Sequence, residues 1–202
     1  MARLLLGNWR VKFESGKVFS RDWFEVVPFA PYGGMDVRFW DLAATERDVV
    51  RAKEPCYTAG VKMRKVGDTY YILDLIAEQM GPGDIDNLIW TTAIEDGHNC
   101  SIRWEMEGGS AGIRDAAHLS NLLSEFEAQG VRPQGDKITR AKPWATAARM
   151  GKVKVVAGEW NNRFLGWCQS FPANGKDCVD ATSGAYAVLS DPSYNWLDGL
   201  LS

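Results

Sequence analysis

The run Val37-Arg38-Phe39-Trp40-Asp41-Leu42-Ala43-Ala44-Thr45 (VRFWDLAAT) decides how this chain folds. Its apolar, partly aromatic opening reads as a β-strand over Val37–Ala43. Alternation puts Val37, Phe39 and Asp41 on one face and Arg38, Trp40 and Leu42 on the other. A lone carboxylate on a face shared with Val and Phe is costly to bury unless paired, hydrogen-bonded or metal-bound. The alternative is an edge strand whose Asp41 simply meets water.

Outward from this run, two more strands are expected at Tyr57–Val66 and Thr69–Ala77, with Gly67-Asp68 as a hairpin turn between them. Residues 83–95 read as a helix stopped by Gly97. Ser101–Met106 reads as a strand. Ser110 is expected to cap a long helix with Ile113, Ala116, Leu119, Leu122, Leu123 and Phe126 on one face. Lys142-Pro143 is expected to open another helix, with Pro in its first turn. Val153–Val156 reads as a short buried strand, and helices around Asn161–Gln169 and Cys178–Leu189 follow. Three meandering strands followed by alternating helix and strand predict an α/β protein: a mixed sheet with helices on both faces. Residues 1–35 read as an irregular lead-in and 36–202 as one domain.

Bulk composition excludes more than it selects. With 202 residues, 46% hydrophobic and 24% charged, the chain suits one soluble globular domain. A net charge of −3 speaks against a protein that coats nucleic acid, though not against local contact with it. Cys56, Cys100, Cys168 and Cys178 lack CxxC spacing and, with only His98 and His118, make a poor zinc set. Free thiols in a reducing compartment are the plain reading. MARLLLGNWR does not read as a signal peptide, and no apolar run is long enough to span a membrane.

Three acidic groups stand at the ends of expected elements. Asp41 is the first. Glu105 and Glu107, two apart on one face of a strand end, precede the glycine-rich Gly108–Gly112, where α/β ligand sites collect. Asp177 and Asp180 share a face at the start of a helix, although acids in a first turn also suit the helix dipole. Carboxylates without a His or Cys set suit a hard cation, Mg2+ or Mn2+, and two such ions can clamp a phosphodiester in line. Residues 132–154 hold Arg132, Lys137, Arg140, Lys142, Arg149, Lys152 and Lys154 against one acid, Asp136. Such a stretch is either a phosphate-tracking surface or a solvated charged face.

Taken in order, several of these pieces resemble the C-terminal nuclease domain of the large terminase subunit of tailed bacteriophages, an RNase H-like domain. They are LLGNWR, Gly16–Trp23 (GKVFSRDW), VRFWDLAAT, Tyr57–Gly60 (YTAG), Glu107–Gly112 (EGGSAG), Asp136–Pro143 (DKITRAKP), Phe171-Pro172 and Asp177–Ala181 (DCVDA). The resemblance implies an RNase H-like sheet of three antiparallel strands followed by parallel ones. It implies an endonuclease that cuts double-stranded viral DNA during packaging with two Mg2+ or Mn2+ ions. Asp41, Glu107 and Asp177 match its catalytic ligands, with Asp180 as a further metal ligand and Glu105 in reserve. The family's last cluster usually reads His-Asp-Asp-x-x-Asp-Ala; here Gly175 and Lys176 take its first two places. Lys137, Arg140 and Lys142 are the implied DNA contacts. Residues 1–35 would follow a missing N-terminal ATPase domain. The implied partners are that domain, the portal protein and the small terminase subunit, in the host cytoplasm. A transposase- or resolvase-type enzyme of the same fold, or a non-catalytic packaging adaptor, are the alternatives.

Overall fold

The computed structural model describes residues 18–42 and 57–191. The end of the VRFWDLAAT run, the LLGNWR and Gly16-Lys17 matches and Cys56 lie outside the described residues. Seven strands form one mixed sheet: β1 (Glu25–Val27), β2 (Met35–Asp41), β3 (Thr58–Val66), β4 (Thr69–Glu78), β5 (Cys100–Glu105), β6 (Ala128–Val131) and β7 (Val153–Val156). Their spatial order is β1-β7-β4-β3-β2-β5-β6. β2, β3 and β4 make the antiparallel meander, and every other pairing is parallel. Gly67-Asp68 forms the two-residue turn, closed by the Val66–Thr69 pair.

Among the described residues the α-helices are α1 (Pro82–Asp96), α2 (Gly109–Leu122), α3 (Lys137–Arg149), α4 (Asn161–Ser170) and α5 (Lys176–Ser190). The period-2 reading of β2 accounts for how they divide between the faces. Val37 and Phe39 pack with Val61, Met63, Ile72 and Val155 under α3, α4 and α5. Trp40 packs with Ile102 and Trp104 under α1 and α2. Arg38, buried on the second face, is neutralised by Asp96 at the end of α1 (Nε–Oδ2 2.7 Å) and by Asp74 (2.8 Å).

α5 lies close against the central strand. A Cβ on Gly184 would come 2.3 Å from the Phe39 ring, so only glycine permits this approach. The Trp144 indole N–H of α3 donates to Ser183 Oγ at 2.9 Å and ties α3 to α5. Cys100, Cys168 and Cys178 are free and buried.

Four expectations change. β1 and β6 are short, and their apolar residues are too few to show alternation. Helix α2 begins at Gly109 with Gly108 as its cap; Ser110 makes no capping bond, and Ile113 is exposed. Phe126 lies past that helix and packs on Trp90 instead. α3 begins five residues before Lys142, because Asp136 caps it by accepting from Thr139 N at 2.9 Å, leaving Pro143 inside the helix.

Candidate active site

The site follows from strand register. Trp40 of β2 and Trp104 of β5 are paired in parallel, so the next residue on each strand, Asp41 and Glu105, emerges on the opposite face at the same level. Both stand at the C-terminal ends of neighbouring strands. That face is covered by α5, whose first turns bring Asp177 and Asp180 over the strand ends. Asp180 is fully buried and Asp41 nearly so.

α3 supplies the cations. Lys137 and Arg140, three apart on one helix face, both reach inward. Lys137 Nζ lies 2.5 Å from Asp180 Oδ2, 3.6 Å from Asp41 Oδ2 and 3.8 Å from Asp177 Oδ1. Arg140 Nη2 bridges Asp180 Oδ1 (2.8 Å) and Glu105 Oε2 (3.0 Å). The Asp136 cap therefore has a consequence at the site, since it fixes where the first turn of α3 places Lys137. Asp177 also accepts from the backbone N–H of Tyr57 at 2.9 Å, which places the YTAG segment against the cluster.

Burial pushes the Asp41 carboxyl well above its ordinary range; Lys137 opposes this, while Asp180, Asp177 and Glu105 add to it. Burial likewise raises Glu105 against the pull of Arg140, with Asp180 adding to the rise. Burial alone would lower Lys137, but Asp41, Asp180 and Asp177 together raise it, so it stays charged. Asp41 Oδ2 is buried without a hydrogen-bond partner. A buried carboxylate oxygen of this kind marks a position that a further cation would satisfy.

Of the residues expected from sequence, Asp41, Asp177, Asp180 and Glu105 come together. Glu107 does not: β5 ends at Glu105, and Glu107 is exposed on the turn into α2. Gly112, in the first turn of α2, serves a close approach, because a Cβ on it would lie 2.1 Å from the Glu107 carbonyl oxygen. Lys137 and Arg140 face carboxylates, and Lys142 is exposed. Lys152 and Lys154 pair with Asp68 (3.4 Å) and Glu25 (2.8 Å), so the positive excess of residues 132–154 is partly matched in space by acids from elsewhere. Among the described residues, no group of three or more His, Cys, Asp or Glu is arranged to hold a metal ion. Lys137 and Arg140 instead stand among the carboxylates. The donor set is nonetheless all oxygen, which is the chemistry of a hard cation.

This sheet order, with acids gathered at the ends of its central strands, is an RNase H-like architecture. The sequence profile of the Terminase RNaseH-like domain matches residues 38–189, and the chain belongs to that family. Membership implies a DNA-cutting role in genome packaging. Solved terminase nuclease domains share the fold. That of human cytomegalovirus is 13% identical with a TM-score of 0.60, covering 85% of this chain and 91% of its own. That of phage P22 is 13% identical with a TM-score of 0.61 and the same coverages of 85% and 91%. A mutant nuclease domain of bacterial virus Sf6, solved with manganese and beta-thujaplicinol, is 10% identical with a TM-score of 0.62, covering 87% and 99%. No curated protein matches the chain in sequence. Among the described residues, no helix is long and apolar enough to cross a membrane.

Proposed function

We propose that the chain is a metal-dependent endonuclease that cuts double-stranded DNA in a viral packaging motor, with Asp41, Glu105, Asp177 and Asp180 as its working carboxylates. The observation that carries this is the convergence of four acids from β2, β5 and α5 around a buried Asp41 oxygen that accepts no hydrogen bond. Asp41, Glu105, Asp177 and Asp180 are the residues that would hold the cations. When bound, Mg2+ or Mn2+ supplies water activation and neutralisation of charge on the phosphodiester. The manganese in the Sf6 relative supports the choice of cation.

The protein's own groups have separate tasks in this reading. Arg140 holds Glu105 and Asp180 at a fixed separation. Lys137, 43% exposed, stands at the mouth of the cluster and offers its ammonium to an entering phosphate. Exposed Lys142, five residues further along α3, is a further candidate DNA contact. The low net charge favours localisation by the motor, through an ATPase domain, portal protein and small terminase subunit in the infected cell, over tight DNA binding by this chain alone.

The test is nicking of supercoiled plasmid in Mn2+ or Mg2+. Asp41→Asn and Glu105→Gln are expected to lower the rate by at least about a hundredfold, since each removes a ligand charge. Glu107→Gln is expected to stay within a few-fold of the parent. Nicking by Asp41→Asn at the parental rate overturns the reading. A silent Glu107→Gln beside an active Glu105→Gln would move the ligand role two residues along.

A further inference from the structure

One exposed cation beside the cluster is engaged by aromatic rings and not by an acid. Arg163, on the exposed face of α4, places its guanidinium carbon 4.4 Å from the ring centre of Trp167 and 5.1 Å from that of Tyr57. The two rings lie 5.3 Å apart. Among the described residues no carboxylate pairs with Arg163, whereas Lys137 and Arg140 each form ion pairs with the acids of the cluster. The stack is joined to the cluster through the main chain, because the Tyr57 N–H donates to Asp177 Oδ2 at 2.9 Å. Its other side rests on the entry to α5: a Cβ on Gly175 would meet Trp167 Cβ at 2.4 Å. Gly175 stands where the family pattern carries His, and Trp167 fills the room that a side chain there would take.

We propose that Arg163 is a DNA-backbone contact of the nuclease, a positioning residue that grips a phosphate neighbouring the one to be cut. The proposal rests on the endonuclease reading. A guanidinium held against aromatic rings and paired with no acid can offer its N–H fork to two phosphate oxygens in a bidentate contact. Stacking also fixes its direction before DNA arrives, so little side-chain freedom is lost on binding. Lysine would retain the charge but neither the planar fork nor the stacking. The excess negative charge of the cluster repels DNA, and a cation linked to Asp177 through Tyr57 offsets this.

The experiment measures binding of a short fluorescent duplex to the chain in EDTA, across a salt series, for the parent, Arg163→Gln and Arg163→Lys. One lost phosphate contact is expected to reduce the slope of log affinity against log salt by about 0.9. It is expected to weaken low-salt binding about tenfold in Arg163→Gln. Arg163→Lys is expected to keep the slope but bind more weakly than the parent. In plasmid nicking with Mn2+, Arg163→Gln should raise KM more than it lowers kcat, with Mn2+ affinity by calorimetry unchanged. An unchanged slope and affinity in Arg163→Gln, or no measurable duplex binding by the parent at low salt, overturns the proposal. A parent that binds DNA through Arg163 but never nicks plasmid defeats the nuclease reading and leaves the contact standing.

Discussion

Asp41 has opposite effects on stability and on the site. Its carboxyl is raised by burial, so ionisation at neutral pH is disfavoured in the folded chain relative to the unfolded one. Removing the charge should therefore stabilise the metal-free protein while abolishing cleavage. Asp41→Asn is expected to gain about 1 kcal/mol, or about 2–4 °C in thermal midpoint for a chain of this size. A lower midpoint by calorimetry in EDTA would contradict this. Asp96, on the other face, shows the reverse sign. Burial raises it, but the hydrogen bonds and charges of Arg38 and then Lys62 outweigh burial and hold it below the usual carboxylate range. Its contribution is present above the unfolded pKa of about 4 and lost as pH falls through the folded value. Asp96→Asn should cost about 3 kcal/mol at pH 7, because Arg38 loses its closest partner, and should flatten the acid limb of a urea-midpoint-against-pH curve. Asp41 was legible from the sequence because period 2 set it on a Val/Phe face. That Glu105 rather than Glu107 lies with the other acids was not, since it depends on where β5 ends, and both residues share the same alternation.

At the scale of elements, strongly patterned segments were readable and weakly patterned ones were not. β2, β3, β4 and β7 carry enough apolar residues to fix both period and length. β1 and β6 have three and four residues and are strands only because parallel neighbours accept their backbone bonds. For α3, Pro143 suggested a start that the Asp136 cap supersedes: a satisfied N-terminus recruits the turn before it, and an inner Pro is accommodated. That cap also carries function, because Lys137 follows it directly. Asp136→Ala is expected to cost about 1 kcal/mol and to lower the nicking rate more than so small a loss of fold would explain. Urea denaturation alongside plasmid nicking separates the two effects. The basic stretch 132–154 illustrates a further limit. Charge excess is summed along the chain, whereas Lys152 and Lys154 meet acids distant in sequence, Asp68 in the β3–β4 turn and Glu25 on β1.

For the molecule as a whole, the described part of the lead-in, residues 18–35, contributes to the core. Phe19 is buried with its ring centre 4.0 Å from that of Trp144 and 6.1 Å from that of Phe171, and Phe24 packs on Phe164. A chain beginning at residue 36 would lose two buried aromatic rings, each worth about 3–5 kcal/mol, together with the edge strand β1. It is expected to bind ANS strongly and to lack a cooperative thermal transition, whereas a chain beginning at residue 18 should melt as one unit. Equal midpoints for the two would show that the aromatic cluster is dispensable.

The ammonium of Lys137, set among three carboxylates, has one more consequence, which concerns handling. A site carrying its own counter-ion does not need a divalent ion to stay assembled, unlike small folds that collapse when zinc is stripped. Extended dialysis against chelator should therefore silence the protein reversibly. Its circular dichroism and melting behaviour should survive storage, and nicking should return within the mixing time once Mn2+ is restored.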